Sequence, residues 1–113
     1  MSAPKRGEIW MADLNPTRGH EQAGPRPVLV ISENLFNRGP ADLVIVVPLT
    51  STFRGVPSHV SVNPPEGGLK NTSYILCEAV RSIAKERLQQ RWGKVSSVTL
   101  QVVEDRLRML MGL

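Results

Sequence analysis

Leu43-Val44-Ile45-Val46-Val47 is a run of five apolar residues, four of them β-branched, followed at once by Pro48-Leu49-Thr50. A run of this length and composition reads as a strand. Because apolar and polar residues do not alternate along it, both faces of that strand must be covered. Val28-Leu29-Val30-Ile31 has the same character and predicts a second central strand. Outward from these two, strand-length stretches recur between turn residues at Ile9 to Leu14, Pro27 to Ser32, Leu43 to Leu49, His59 to Val62 and Tyr74 to Val80. The domain therefore reads as mostly β.

The cover for the second face is expected from Ser96 to Met111. There Leu100, Val103, Leu107 and Leu110 repeat at three- and four-residue spacing, while Gln101, Glu104, Asp105 and Arg108 fall largely elsewhere. That is the pattern of an amphipathic helix. Ser96 or Ser97 is placed to accept a backbone N–H bond at its start, and Gly112 to end it. A shorter helical turn is expected at Glu33 to Asn37, stopped by Arg38-Gly39-Pro40, and another over Ala84 to Gln90.

A chain of 113 residues fits one domain, 1–113, with residues 1–4 read as a frayed end. The single cysteine, Cys77, lies between Leu76 and Glu78, which rules out an internal disulfide or a cysteine-built zinc site and fits a reducing cytoplasm. No apolar run follows the opening MSAPKRGE, and no segment approaches the roughly 20 apolar residues needed to span a bilayer. A formal charge of +4 suits a polyanionic partner without requiring one. Asn15 to Pro25 is a long polar loop with two glycines and two prolines, the kind of segment that carries function when it is ordered. Asn63-Pro64-Pro65-Glu66-Gly67-Gly68 is a turn cluster that needs no function.

Three segments, KRGEIWMADLNPTRGHEQAGPRPVLVIS (5–32), VVPLTST (46–52) and SYILCEAVRSIAKERL (73–88), resemble the MazF/PemK/Kid toxins in the same order and with similar spacing. Each segment alone is weak, whereas the three together are specific and span nearly the whole chain. The resemblance implies a compact SH3-like β-barrel with a C-terminal helix, of the kind shared by MazF and CcdB. It implies a homodimeric, growth-inhibiting toxin of a type II toxin-antitoxin system, an mRNA interferase. Such a toxin cuts single-stranded RNA at short sequences and is blocked by a cognate antitoxin. By the same resemblance Arg26 corresponds to the family's catalytic arginine, Thr50 to its catalytic threonine, and Glu21 to an acidic residue tied to activity in some members. Pro48-Leu49 before the threonine and the loop Ser51 to Pro57 depart from some relatives, so the cleavage sequence does not carry over.

Cutting RNA without a metal requires the ribose 2′-hydroxyl to attack the adjacent phosphate. One group must take that proton, another must neutralise the phosphoryl oxygens, and a third must assist the departing 5′ oxygen. Arg26 suits the second task because its planar guanidinium donates paired hydrogen bonds; with a pKa above about 12 it is a poor proton acceptor. Thr50 has a hydroxyl to donate, and Glu21 is the nearest motif residue able to accept a proton. Both Arg26 and Thr50 also admit plainer readings, as a solvated loop arginine and as a turn hydroxyl beside Ser51 and Thr52.

Arg18, Arg54 and Lys70 are expected to hold phosphates alongside Arg26. His20, Gln22 and Ser51, beside the candidate catalytic residues, are expected to contact the RNA, and Phe53 either stacks a base or anchors its loop. Trp10 and Tyr74 read as core, so a broad aromatic platform is not expected. His20 and His59 offer an alternative acid and base, with His59 otherwise structural. The spacing offers no metal-ligand pair, and no cofactor is implied. The sequence leaves two rivals open. One is a gyrase-binding toxin of the CcdB type, which the tryptophan-free end Met111-Gly112-Leu113 argues against; the other is a non-catalytic RNA-binding module.

Overall fold

In the computed structural model, which describes residues 3–14 and 24–113, the run around Val44 is the hub of a seven-stranded antiparallel sheet. The strands are β1 (Glu8–Asp13), β2 (Pro25–Val30), β3 (Leu43–Thr50), β4 (His59–Val62), β5 (Ser73–Leu76), β6 (Arg81–Ala84) and β7 (Leu88–Lys94). Their order is β4-β5-β3-β2-β1-β7, with β6 also paired to β3. On one edge β3 pairs with β2. On the other, Leu43 to Val46 pair with β6, and Leu49 and Thr50 pair with β5. Pro48, which has no N–H for a ladder, falls where that edge changes partners.

Both faces of β3 are buried, by different means. Val44 and Val46 share one cluster with Trp10, Ala12, Leu14, Val28, Val30 and Ile83, closed by Leu88, where the sheet from β6 through β7 curls on itself. Val47 and Leu49 turn the other way, as strand alternation requires, and join Ile9, Leu29, Val60, Val62, Ile75 and Cys77. Helix α2 (Ser97–Met111) covers this second cluster with fully buried Val103 and partly buried Leu100, Val102 and Leu107. A buried Val or Leu side chain contributes about 1.5–3 kcal/mol.

Helix α2 has the expected ends. Ser96 Oγ accepts from the Thr99 N–H at 3.1 Å, and Gly112 takes the left-handed conformation at φ 69°. Arg6 docks the helix on the sheet by donating to Glu104 and to the Ile31 carbonyl. Leu110, assigned by spacing to the apolar stripe, is instead 48% exposed.

The short helix α1 (Asn34–Asn37) lies where expected. The helix expected over Ala84 to Gln90 does not form: β6 ends at Ala84, a 3-10 turn spans Lys85–Arg87, and β7 starts at Leu88. Pairing with the edge of β1 overrides a local preference there. The strand expected from Tyr74 to Val80 stops at Leu76, and a 3-10 turn at Cys77–Ala79 redirects the chain into β6. Residues 1 and 2 lie outside the described residues, while Pro4 is buried and its carbonyl accepts from Asn37 Nδ2 at 3.1 Å.

Candidate active site

The β2–β3 register brings the two leading residues together. Val28 stands opposite Pro48, and two residues further along each strand, beyond the paired stretch, lie Arg26 and Thr50. They line one cleft of about 240 Å³ with Ser51, Lys70, Asn71, Ser73 and Trp92, floored by Leu49 and Leu69. Thr50 is 7% exposed, and its Oγ1 accepts from the Thr52 N–H at 3.2 Å. Its hydroxyl therefore serves the turn and keeps its own hydrogen for another acceptor. Arg26 Nε is buried and has no hydrogen-bond partner among the described residues. A desolvated N–H on a permanent cation costs more than a neutral orphan, and an anionic oxygen in the cleft would relieve that cost.

Ser51 and Lys70 line the same cleft, but Phe53 and Arg54 do not. Phe53 rests edge-on against Tyr74, with ring centroids 5.5 Å apart and planes at 63°, yet remains 71% exposed. It anchors its loop and still presents ring surface to solvent. Tyr74 is half-buried, not the core residue expected, and Arg54 is exposed. Arg18, His20, Glu21 and Gln22, with the rest of the loop from Asn15 to Ala23, lie outside the described residues.

His59 takes a structural position. Its Nε2 lies 2.7 Å from Glu78 Oε2, Ser58 Oγ donates to Glu78 Oε1 at 2.7 Å, and the histidine side chain is only 6% exposed. Burial would raise the Glu78 pKa, but these two contacts outweigh it and hold the carboxyl below its ordinary value. Cys77 is buried, and burial together with neighbouring Glu78 pushes its thiol up to about 11, so it is not poised as a nucleophile.

The turn read as having no function shapes the cleft wall. Gly67 and Gly68 of the 3-10 turn Glu66–Gly68 sit directly against β7. A Cβ on Gly93 would lie 2.7 Å from the Gly67 carbonyl carbon and 2.8 Å from the Gly68 nitrogen. Only glycine permits that approach. It carries the following residues, Leu69, Lys70 and Asn71, to the cleft beside Trp92. β7 is itself tied to β1 by Arg91 Nε donating to Glu8 Oε2 at 2.7 Å. Asn71 and Trp92 were not anticipated as site residues. Trp92 was missed because its strand was missed; an aromatic directly before a glycine is the only local signal.

The same segments match known proteins. The pattern of the PemK-like, MazF-like toxins of type II toxin-antitoxin systems covers residues 5–111. The chain belongs to this family. It is 34% identical over 110 residues to the endoribonuclease EndoA of Bacillus subtilis (strain 168), covering 96% of this chain and 95% of that one. Among solved structures, MazF from Deinococcus radiodurans superposes with a TM-score of 0.88 at 28% identity, covering 98% of each chain. A mycobacterial endoribonuclease in complex with its cognate antitoxin superposes at 0.79 and 27% identity, covering 100% of this chain and 97% of that one. Membership in the MazF-like toxins sets the functional frame for the cleft.

Proposed function

We propose that this MazF-like chain is a toxin endoribonuclease that cleaves single-stranded RNA at the cleft between Arg26 and Thr50. The observation that carries the reading is the single cleft lined by both Arg26, whose buried Nε has no partner among the described residues, and Thr50, a combination suited to a phosphate. In the proposed reaction the ribose 2′ oxygen bonds to phosphorus as the bond to the 5′ oxygen breaks. The products are a 2′,3′-cyclic phosphate and a 5′-hydroxyl. The 2′ proton passes to a base, for which Glu21 is the candidate, and a proton is returned to the departing 5′ oxygen. Arg26 neutralises the equatorial oxygens, where charge accumulates, and Thr50 donates to the same phosphate. The reaction needs no redox group and no metal-bound nucleophile, because RNA supplies its own.

Lys70 and Ser51 extend the anion-binding wall, and Arg54 and Phe53 meet RNA outside it. Arg18, His20 and Gln22 are assigned to the same RNA from the neighbouring loop. The chain works in the cytoplasm as a homodimer and is held inactive by a cognate antitoxin, as the likeness to an antitoxin-bound endoribonuclease supports. No helix among the described residues is long and apolar enough to cross a membrane. An apolar groove of Val56, Pro57, Met109 and Leu110 supports self-association.

The test is a long single-stranded RNA and its all-deoxy counterpart, each incubated with the chain in excess EDTA, with product ends mapped. Cleavage of RNA alone, leaving cyclic phosphate and 5′-hydroxyl ends and abolished in Arg26→Ala and Thr50→Ala, is the expected result. Intact RNA across a broad sequence set, with gyrase supercoiling inhibited, would overturn the reading.

A further inference from the structure

We infer that Trp92 is a stacking residue of the RNA site, holding the base of a nucleotide beside the scissile phosphate; this rests on the endoribonuclease reading of the cleft. The ladder between β1 and β7 slips at this position: Ile9 pairs with Gly93 and Trp10 with Arg91, so Trp92 is left without a partner. An unpaired bulge residue is one whose side chain the strand re-aims, and such bulges recur beside active sites. Here the bulge residue lines the cleft that Arg26, Thr50 and Lys70 also line.

Trp92 is half-buried. It packs against the core cluster around Ile9 and Val95 and also contributes to the wall of the cleft. A ring fixed by the core loses little freedom on binding, which is what a stacking platform requires. The surroundings match a nucleotide in both its parts. Arg26 and Lys70 face the phosphate, Trp92 offers a flat apolar surface for the base, and Asn71 offers an amide for a base edge. The other tryptophan, Trp10, is 6% exposed and donates its Nε1–H to Glu8 at 3.0 Å, so it is not available for stacking.

That contrast makes the proposal directly measurable. The wild-type chain is titrated with an all-deoxy oligonucleotide matching a cleaved RNA, which binds without being cut, while tryptophan emission and the anisotropy of a dye on the oligonucleotide are followed together. The expected result is quenching that tracks binding in the wild type and is absent in Trp92→Phe, whose remaining emission comes from Trp10. In steady-state cleavage, Trp92→Ala is expected to raise KM by about ten- to a hundredfold with a smaller change in kcat, and Trp92→Phe to recover most of the loss. A purely structural tryptophan would leave emission unchanged on binding. Binding seen by anisotropy without quenching in the wild type would overturn the inference, even with RNA cleavage intact. Absence of RNA cleavage by the wild-type chain would instead overturn the underlying functional reading.

Discussion

Two hollows of similar size differ in chemistry, one mixed and one almost wholly apolar. The cleft of Arg26, Thr50, Lys70 and Trp92 holds about 240 Å³, and the groove of Val56, Pro57, Ser58, Arg106, Met109 and Leu110 about 300 Å³. Each contains an arginine. In the groove, Arg106 gives its Nε to the Pro57 carbonyl at 3.2 Å, so the fold itself satisfies that donor. In the cleft, Arg26 Nε is buried with no partner among the described residues. Volume does not separate the proposed reaction site from the proposed self-association groove; the difference between their arginines, one satisfied and one without a partner among the described residues, does.

The largest effect expected from this difference is at Arg26. Replacing it with alanine should lower kcat by about 10²–10³-fold, the range for losing a donor aimed at transition-state charge. The unfolding temperature should not fall, because the substitution also removes a desolvated donor that has no partner among the described residues. Arg26→Lys should recover little, since it restores charge without the planar fork. Parallel loss of stability and activity in Arg26→Ala would make the arginine a structural residue and dissolve the contrast with Arg106.

On the groove side, if the proposed homodimer forms through it, Leu110→Asp should raise the dissociation constant by at least about tenfold, since a charge would have to be buried in an apolar contact. Leu110 is already 48% exposed, so the monomer fold should survive, and sedimentation velocity over a concentration series would show it. An unchanged dimer would remove the groove as the interface while leaving the cleft untouched.

The division between these regions also marks where the sequence is legible. Continuous apolar runs at Val28 and Val44 announce strands buried on both faces, and both clusters confirm it. The capped, amphipathic helix from Ser97 to Met111 is equally plain, because Ser96 and Gly112 bound a 3.6-residue period. β7 is not legible: Leu88-Gln89-Gln90-Arg91-Trp92-Gly93-Lys94 has neither the alternation nor the composition of a strand, and its pairing with β1 is a long-range choice. Arg26 and Thr50 are recognisable only through the family resemblance. Nothing local distinguishes Arg26 from a solvated arginine until the register of β2 with β3 sets it near Thr50. Asn71 and Trp92 depend on the close approach of Gly67 and Gly68 to Gly93, a tertiary contact that glycines permit but do not announce.

The smallest effect expected concerns how the cleft wall is held. Glu8 accepts from the Lys5 N–H at 2.8 Å, from Trp10 Nε1 at 3.0 Å and from Arg91 Nε at 2.7 Å, joining β1 to the strand that carries Trp92. Burial alone would raise its pKa; the donated bonds and the Arg91 charge outweigh burial and hold it below the ordinary carboxylate value. A carboxylate whose folded pKa is depressed adds stability above its unfolded pKa of about 4.3, and that stability is lost as pH falls through the lower folded value. Glu8→Gln keeps an acceptor for Lys5 and Trp10 but removes the charge facing Arg91. Urea denaturation at pH 7 should therefore show the variant less stable by about 1 kcal/mol, with the two proteins converging as pH falls below the ordinary carboxylate range and the wild-type carboxylate protonates. The dimer should be unaffected, because none of these groups lines the groove. A stability difference that persisted undiminished at low pH would mean that the glutamine perturbs packing rather than charge, and the ionic tie between β1 and β7 would no longer explain how Trp92 is held.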